Sequence, residues 1–126
     1  MKTQIENTDE NKIKALASFL GCDEGDISKE NFDRYGVDVF SVGREEYCVG
    51  TDDEADVAWL ASLESYIEEC IEPELNFDKL GSLGDYVKFD REMWLRDAKM
   101  DGRGHSLSSY DGEENEQDGF YIYRTN

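Results

Sequence analysis

Between Arg44 and Lys79 the chain contains no lysine or arginine, although twelve Asp and Glu residues fall in that interval. Over all 126 residues, 31 acids face 13 bases, a formal net charge of -18. Soluble domains ordinarily intersperse both signs, because a single-sign field repels itself and opposes compaction. So little positive charge argues against direct binding to nucleic acid or to an anionic membrane, since both carry negative fields of their own. It favours a basic partner, and the largest common class of basic protein surface is the channel that holds a nucleic acid. The competing expectation is that acidity serves only solubility or a salt-rich habitat.

Other shortages narrow the choices further. Cys22, Cys48 and Cys70 are odd in number and show no CxxC or Cys/His spacing, so neither a disulfide framework nor a zinc site is predicted. The opening Met1-Lys2-Thr3-Gln4 lacks an apolar signal region, and no hydrophobic run approaches membrane-spanning length. The expectation is a reduced cytoplasmic protein with free thiols, no cofactor and no resident metal. What is present is aromatic material: seven Tyr, six Phe and two Trp, far more than a disordered acidic chain carries. A chain of this length buries roughly two-thirds of its unfolded surface.

The patterning predicts one α+β domain over residues 1–126, with two β-hairpins packed with about three helices. Thr8 is placed to cap a helix running to about Leu20, with Ile13, Leu16, Ala17 and Leu20 as its apolar stripe and Gly21 as its stop. Residues 22–35 read as mixed, with Ile27, Phe32 and Tyr35 as anchors of a short helical turn. Val37 to Val42 and Glu46 to Val49 form a hairpin around Gly43-Arg44-Glu45. Thr51-Asp52-Asp53-Glu54 is a capping box with three acids at the positive dipole end, opening a helix predicted to run to about Ile71, where Pro73 ends it. Ala55, Trp59, Leu63, Tyr66, Ile67 and Cys70 are expected on its inner side. Asn76 to Asp85 reads as a glycine-bounded loop or short helix. Asp90 caps a further helix with Met93, Trp94 and Ala98 inward and a Glu92–Arg96 pair. Ser106 to Tyr110 and Phe120 to Arg124 are predicted as a second hairpin, joined by the polar stretch Asp111 to Gly119.

Three segments carry candidate chemistry. On the long helix, Glu54, Glu64, Glu68, Glu69 and Glu72 are expected to face outward. Glutamates at i and i+4 stand about 6 Å apart, close to the spacing of successive phosphates. With no base on the same helix, such a row suits a basic groove built for phosphates. The competing reading is a solvated helix face. The second segment, Asp111 to Asp118, adds Asp111, Glu113, Glu114, Glu116 and Asp118 as a second acidic row, or a merely hydrophilic hairpin tip. Its spacing departs from the EF-hand pattern, which argues against Ca²⁺. The third is Asp101-Gly102-Arg103-Gly104-His105 with Ser106 and Tyr110. Acid, imidazole and hydroxyl so close together invite a catalytic reading around His105, but one short loop rarely brings nucleophile, base and orienter into convergent geometry.

Asp101-Gly-Arg-Gly-His105, Leu107-Ser-Ser-Tyr-Asp-Gly112 and Tyr121-Ile-Tyr-Arg-Thr-Asn126 resemble the ending of small acidic proteins carried by bacteriophages and mobile elements. Thr51-Asp-Asp-Glu-Ala-Asp56 resembles a segment of the same proteins, which bring no assigned activity. Phe89 to Asp97 and Tyr121-Ile-Tyr-Arg124 resemble, more briefly, the antirestriction proteins of the DNA-mimic type. The resemblance implies a phage or mobile-element gene acting in host bacterial cytoplasm, where small acidic proteins often inhibit nucleases by occupying their nucleic-acid sites. The expected function is therefore a non-enzymatic anti-defence inhibitor, anti-CRISPR rather than antirestriction, whose partner is a basic nucleic-acid-binding protein. Two alternatives stand beside it: a phage interaction protein with incidental acidity, and a small enzyme using the Asp101–Tyr110 loop.

Overall fold

A computed structural model describes residues 6–74 and 89–126, and shows an α+β fold. The expected segment Asn76 to Asp85 lies outside the described residues, as do Lys79 and Lys88. In chain order the elements are α1 (Asp9–Leu20), β1 (Ile27–Arg34), β2 (Val37–Val42), β3 (Glu45–Gly50), α2 (Asp52–Tyr66), α3 (Arg91–Lys99), α4 (Arg103–Leu107), β4 (Asn115–Gln117) and β5 (Phe120–Arg124). The five strands form one antiparallel sheet in the order β1-β2-β3-β5-β4.

Strand alternation divides the core between the two faces of this sheet. Phe40, Tyr47, Val49, Phe120 and Ile122 pack on one side with Ala15, Leu16 and Ala17 of α1. Val37, Val39, Cys48 and Tyr123 pack on the other with Ala55 and Ala58 of α2 and Leu107 of α4. Both long helices begin as their local chemistry dictates. Thr8 Oγ1 accepts the Asn11 amide at 3.1 Å, and Thr51 Oγ1 accepts the Glu54 amide at 3.2 Å while Glu54 Oε1 accepts the Thr51 amide at 2.9 Å. Gly21 ends α1 in the left-handed region, with its N–H on the Ala17 carbonyl.

Several expectations are corrected. Residues 27–34 form the strand β1, not a helical turn, after a single 3-10 turn at Glu24–Asp26. As an edge strand with a register shift between Lys29 and Asp33, β1 lacks the alternation of a half-buried strand; Ile27 is buried, but Phe32 and Tyr35 are exposed. The α-helical part of α2 stops at Tyr66, and a wider π turn, Ile67–Ile71, follows before a 3-10 turn at Glu72–Glu74. Ile67 is buried, Tyr66 already faces outward at the end of the α-helical part, and Cys70, inside the wider turn that breaks the 100° phase, is exposed. On α3, capped by Asp90 as expected, Met93 is exposed, and among the described residues Arg91, not Arg96, makes the ion pairs. Ser106 and Leu107 belong to α4, and the hairpin partner of β5 is Asn115–Gln117, turned at Asp118-Gly119.

Candidate functional site

The base-free interval is supplied with bases from elsewhere in the chain. Among the described residues, six of its twelve acids hold a Lys or Arg: Glu45, Asp52, Glu54, Asp56, Glu68 and Glu72. The donors are Lys12, Arg91, Arg103 and Arg124, all outside the interval.

Arg103 is the centre of the densest group. Its Nη1 donates to Asp52 Oδ1 at 2.7 Å, Asp56 Oδ1 at 2.9 Å and the Asp52 carbonyl at 3.1 Å, and its Nε donates to Glu114 Oε1 at 2.7 Å. Its Cζ lies 4.7 Å from the centroid of the Tyr121 ring, and the Tyr123 hydroxyl donates to the same Glu114 oxygen. Asp52 and Asp56 reach one guanidinium because they stand one helical turn apart at the start of α2. Glu114 reaches it because α4 lies tight against the chain before β4. A Cβ on Gly104 would come within 2.7 Å of the Glu114 nitrogen and the Gly112 oxygen, so only glycine permits that approach. Burial lowers the guanidinium's affinity for its proton, but Glu114 and Asp52 outweigh burial and raise it, so Arg103 stays charged. Tyr123 is pushed up by burial and then by Glu114, and Tyr121 by Glu116 and then by burial, so both remain neutral phenols.

The segments Thr51 to Asp56, Asp101 to Gly112 and Tyr121 to Asn126, scattered along the sequence, therefore converge. Ser108 Oγ adds a tie by donating to Asp111 Oδ1 at 2.6 Å, while the Arg124 carbonyl lies 2.8 Å from the same hydroxyl. Arg124 Cζ lies 3.7 Å from the Tyr110 ring centroid. Of the catalytic candidates, Arg103 and Tyr110 are thus committed to this framework. Asp101, His105 and Ser106 line a separate groove beside the end of α2.

The ten expected partner-binding acids divide in the same way. Glu54 points inward: its side chain closes the capping box and holds Lys12 at 3.1 Å, and Lys12 also holds Asp38 at 3.0 Å while only 2% exposed. Glu114 is engaged by Arg103 and Tyr123. Glu68 and Glu72 are exposed but share Arg91, at 3.3 and 3.6 Å. Glu64 and Glu69 are exposed with no base on them among the described residues. Asp111, Glu113, Glu116 and Asp118 are exposed, with Asp111 also accepting the Glu113 amide at 3.0 Å. Asp52, Asp53 and Asp56 were not singled out from the sequence as surface acids, and all three are exposed. Their signal was there in the i,i+4 spacing of Asp52 and Asp56, masked for Asp52 and Asp53 by their reading as helix-start residues.

Among the described residues no helix is long and apolar enough to cross a membrane, and no group of His, Cys, Asp and Glu is arranged to hold a metal ion. Cys22, Cys48 and Cys70 are free thiols, and burial pushes Cys48 up to about 11, so it stays protonated. No protein-family model, no curated protein and no solved structure matches the chain.

Proposed function

We propose that this protein is a non-enzymatic inhibitor that occupies the basic nucleic-acid site of a host defence nuclease, a CRISPR effector in preference to a restriction enzyme, in bacterial cytoplasm. The observation that carries this reading is the set of acids left exposed with no base on them among the described residues, Asp53, Glu64 and Glu69 from the helix and Glu113 and Glu116 from the second row. Between the two sets, Asp52, Asp56 and Glu114 share one cation, three carboxylates against one guanidinium, so that stretch also stays negative. Exposed Asp53, Glu113 and Glu116 extend the surface on either side. A channel lined with Lys and Arg can exchange its counterions for such a surface as it does for phosphates. Exposed Glu64 and Glu69 continue the negative field along the helix. Glu54 drops out of the binding set, because its carboxylate is spent inside the fold.

The test is a DNA-cleavage assay with purified CRISPR effectors and restriction endonucleases. The expected result is loss of cleavage at stoichiometric inhibitor, an inhibition that weakens steeply as salt rises. Charge reversal at Asp53, Glu64, Glu69 and Glu113 to Lys is expected to restore cleavage while circular dichroism shows a folded protein. Inhibition that survives this reversal would sink the mimicry reading. His105→Ala separates off the enzymatic alternative, because it leaves a mimic active and silences an enzyme built on that imidazole.

A further inference from the structure

The protein repeatedly lays cations on its own aromatic rings. Lys99 Nζ lies 5.6 Å from the Trp59 centroid, Arg103 Cζ 4.7 Å from Tyr121, and Arg124 Cζ 3.7 Å from Tyr110. The Arg103 site shows the full recipe: a tyrosine ring close to the guanidinium, carboxylates accepting its N–H groups, and exclusion of most water. A groove of about 460 Å³ beside the last turns of α2 brings together the same kinds of aromatic and acidic side chain. Its walls carry Tyr35, Tyr66 and Trp94, together with the carboxylates of Glu69 and Asp101. Tyr66 and Trp94 are stacked, with centroids 5.7 Å apart and planes 13° from parallel, so they form one extended aromatic wall. Among the described residues none of these three rings has a cation over it, and neither carboxylate has an ion-pair partner. Arg34 and His105 also line the groove, but Arg34 is directed to Ser109 Oγ at 3.1 Å.

Tyr35 gives an independent reason to read the groove as functional. It is the first residue of the two-residue turn between β1 and β2, with φ 55° before Gly36 at φ 93°. The equivalent turn between β4 and β5 is Asp118-Gly119, with φ 53° and 84°. Aspartate visits the left-handed region readily; a bulky aromatic does so only under constraint. Burial does not explain the tyrosine, which is 43% exposed. Tyr35 stands where folding alone would favour a small polar residue, and it lines an aromatic and acidic groove.

We propose that this groove receives a guanidinium, carried on an arginine side chain of the basic partner. The inference rests on the partner being basic, as under the proposed function, and adds a specific anchor. Its volume leaves room for the side chain and the backbone bearing it. The rings stack on the planar guanidinium, and Glu69 and Asp101 accept its N–H groups. An anion would meet two carboxylates in a protein already strongly negative.

The test uses the whole protein with L-argininamide as probe, followed by the Trp94 indole and Tyr35 ring resonances. Saturable shifts are expected, weaker with lysinamide and absent with adenosine monophosphate. Tyr35→Asn, which suits the turn and so does not threaten folding, is expected to weaken argininamide binding about tenfold, and Glu69→Gln with Asp101→Asn by a similar factor. Absence of saturation, unchanged binding in both variants, or a preference for the nucleotide would overturn the proposal. The outcome is separable from nuclease inhibition: a protein that inhibits cleavage but does not bind argininamide refutes the groove alone. One that binds argininamide and inhibits no nuclease refutes mimicry while leaving the groove's chemistry in place.

Discussion

The two ends of α2 use the same residue type for opposite purposes. At the start, Asp52, Glu54 and Asp56 are held by Arg103 and Lys12, cations brought in from α4 and α1, and Glu54 also closes a capping box. At the far end the helix widens into a π turn, and Glu64 and Glu69 face solvent with no base on them among the described residues. Glu68 and Glu72 are intermediate, sharing exposed Arg91 at distances that water and salt readily compete for. Acidity counted along a chain thus mixes two quantities: charge spent on assembling the fold and charge left over for a partner. The first is conserved energy of packing, the second a field with no internal use.

The largest test of this contrast is Lys12→Met. It leaves Asp38 and Glu54 facing an apolar side chain, and a loss of about 3 kcal/mol or more in urea-unfolding stability is expected. Arg103→Met is expected to cost about 2–4 kcal/mol, moderated because Asp52 and Asp56 remain open to water. Glu64→Gln with Glu69→Gln, by contrast, is expected to change stability by no more than about 0.5 kcal/mol. Equal losses at both ends would erase the distinction. Next comes Gly104→Ala, which forces a Cβ against backbone atoms at 2.7 Å and should cost about 1–3 kcal/mol, pulling Arg103 away from Glu114.

A smaller effect is expected at the capping box, where Thr51→Ala removes the acceptor for the Glu54 amide at about 1 kcal/mol. Glu54 also sharpens the comparison through pH. Burial pushes its carboxyl up, but the Thr51 amide and Lys12 more than offset burial and hold it below the usual glutamate range. Its folded value therefore lies under its unfolded one. The stabilisation is complete above the ordinary glutamate range and is lost as pH falls through the folded value. Acid-unfolding curves should accordingly be shallower for Glu54→Gln than for the natural sequence. One effect has the opposite sign: Tyr35→Asn relieves a left-handed tyrosine and should raise stability by up to about 1 kcal/mol, measured by thermal unfolding.

Much of the fold was legible because its signals are local. Thr8, Gly21, the capping box at Thr51 and the cap at Asp90 act over three or four residues, and the β2–β3 hairpin follows from alternation. The misread elements are those whose identity depends on a distant partner. Nothing in residues 27–34 alternates, because β1 has one open edge and a register shift, and only β2 makes it a strand. Asn115–Gln117 is too short to declare itself and exists by pairing with β5.

The candidate site follows the same rule. By itself the sequence determined that the protein carries a large excess of negative charge, that its long acidic helix starts at Thr51, and that Glu64 faces out. Each is a matter of counting charges or of 100° steps. Only the tertiary structure decided which acids are spent. It carried Lys12 to Glu54, Arg103 to Asp52, Asp56 and Glu114, and Arg91 to Glu68 and Glu72. The physical reason is range: a cap or a helical phase is set within a turn of chain, whereas an ion pair needs only a few ångströms of space, whatever the separation in sequence.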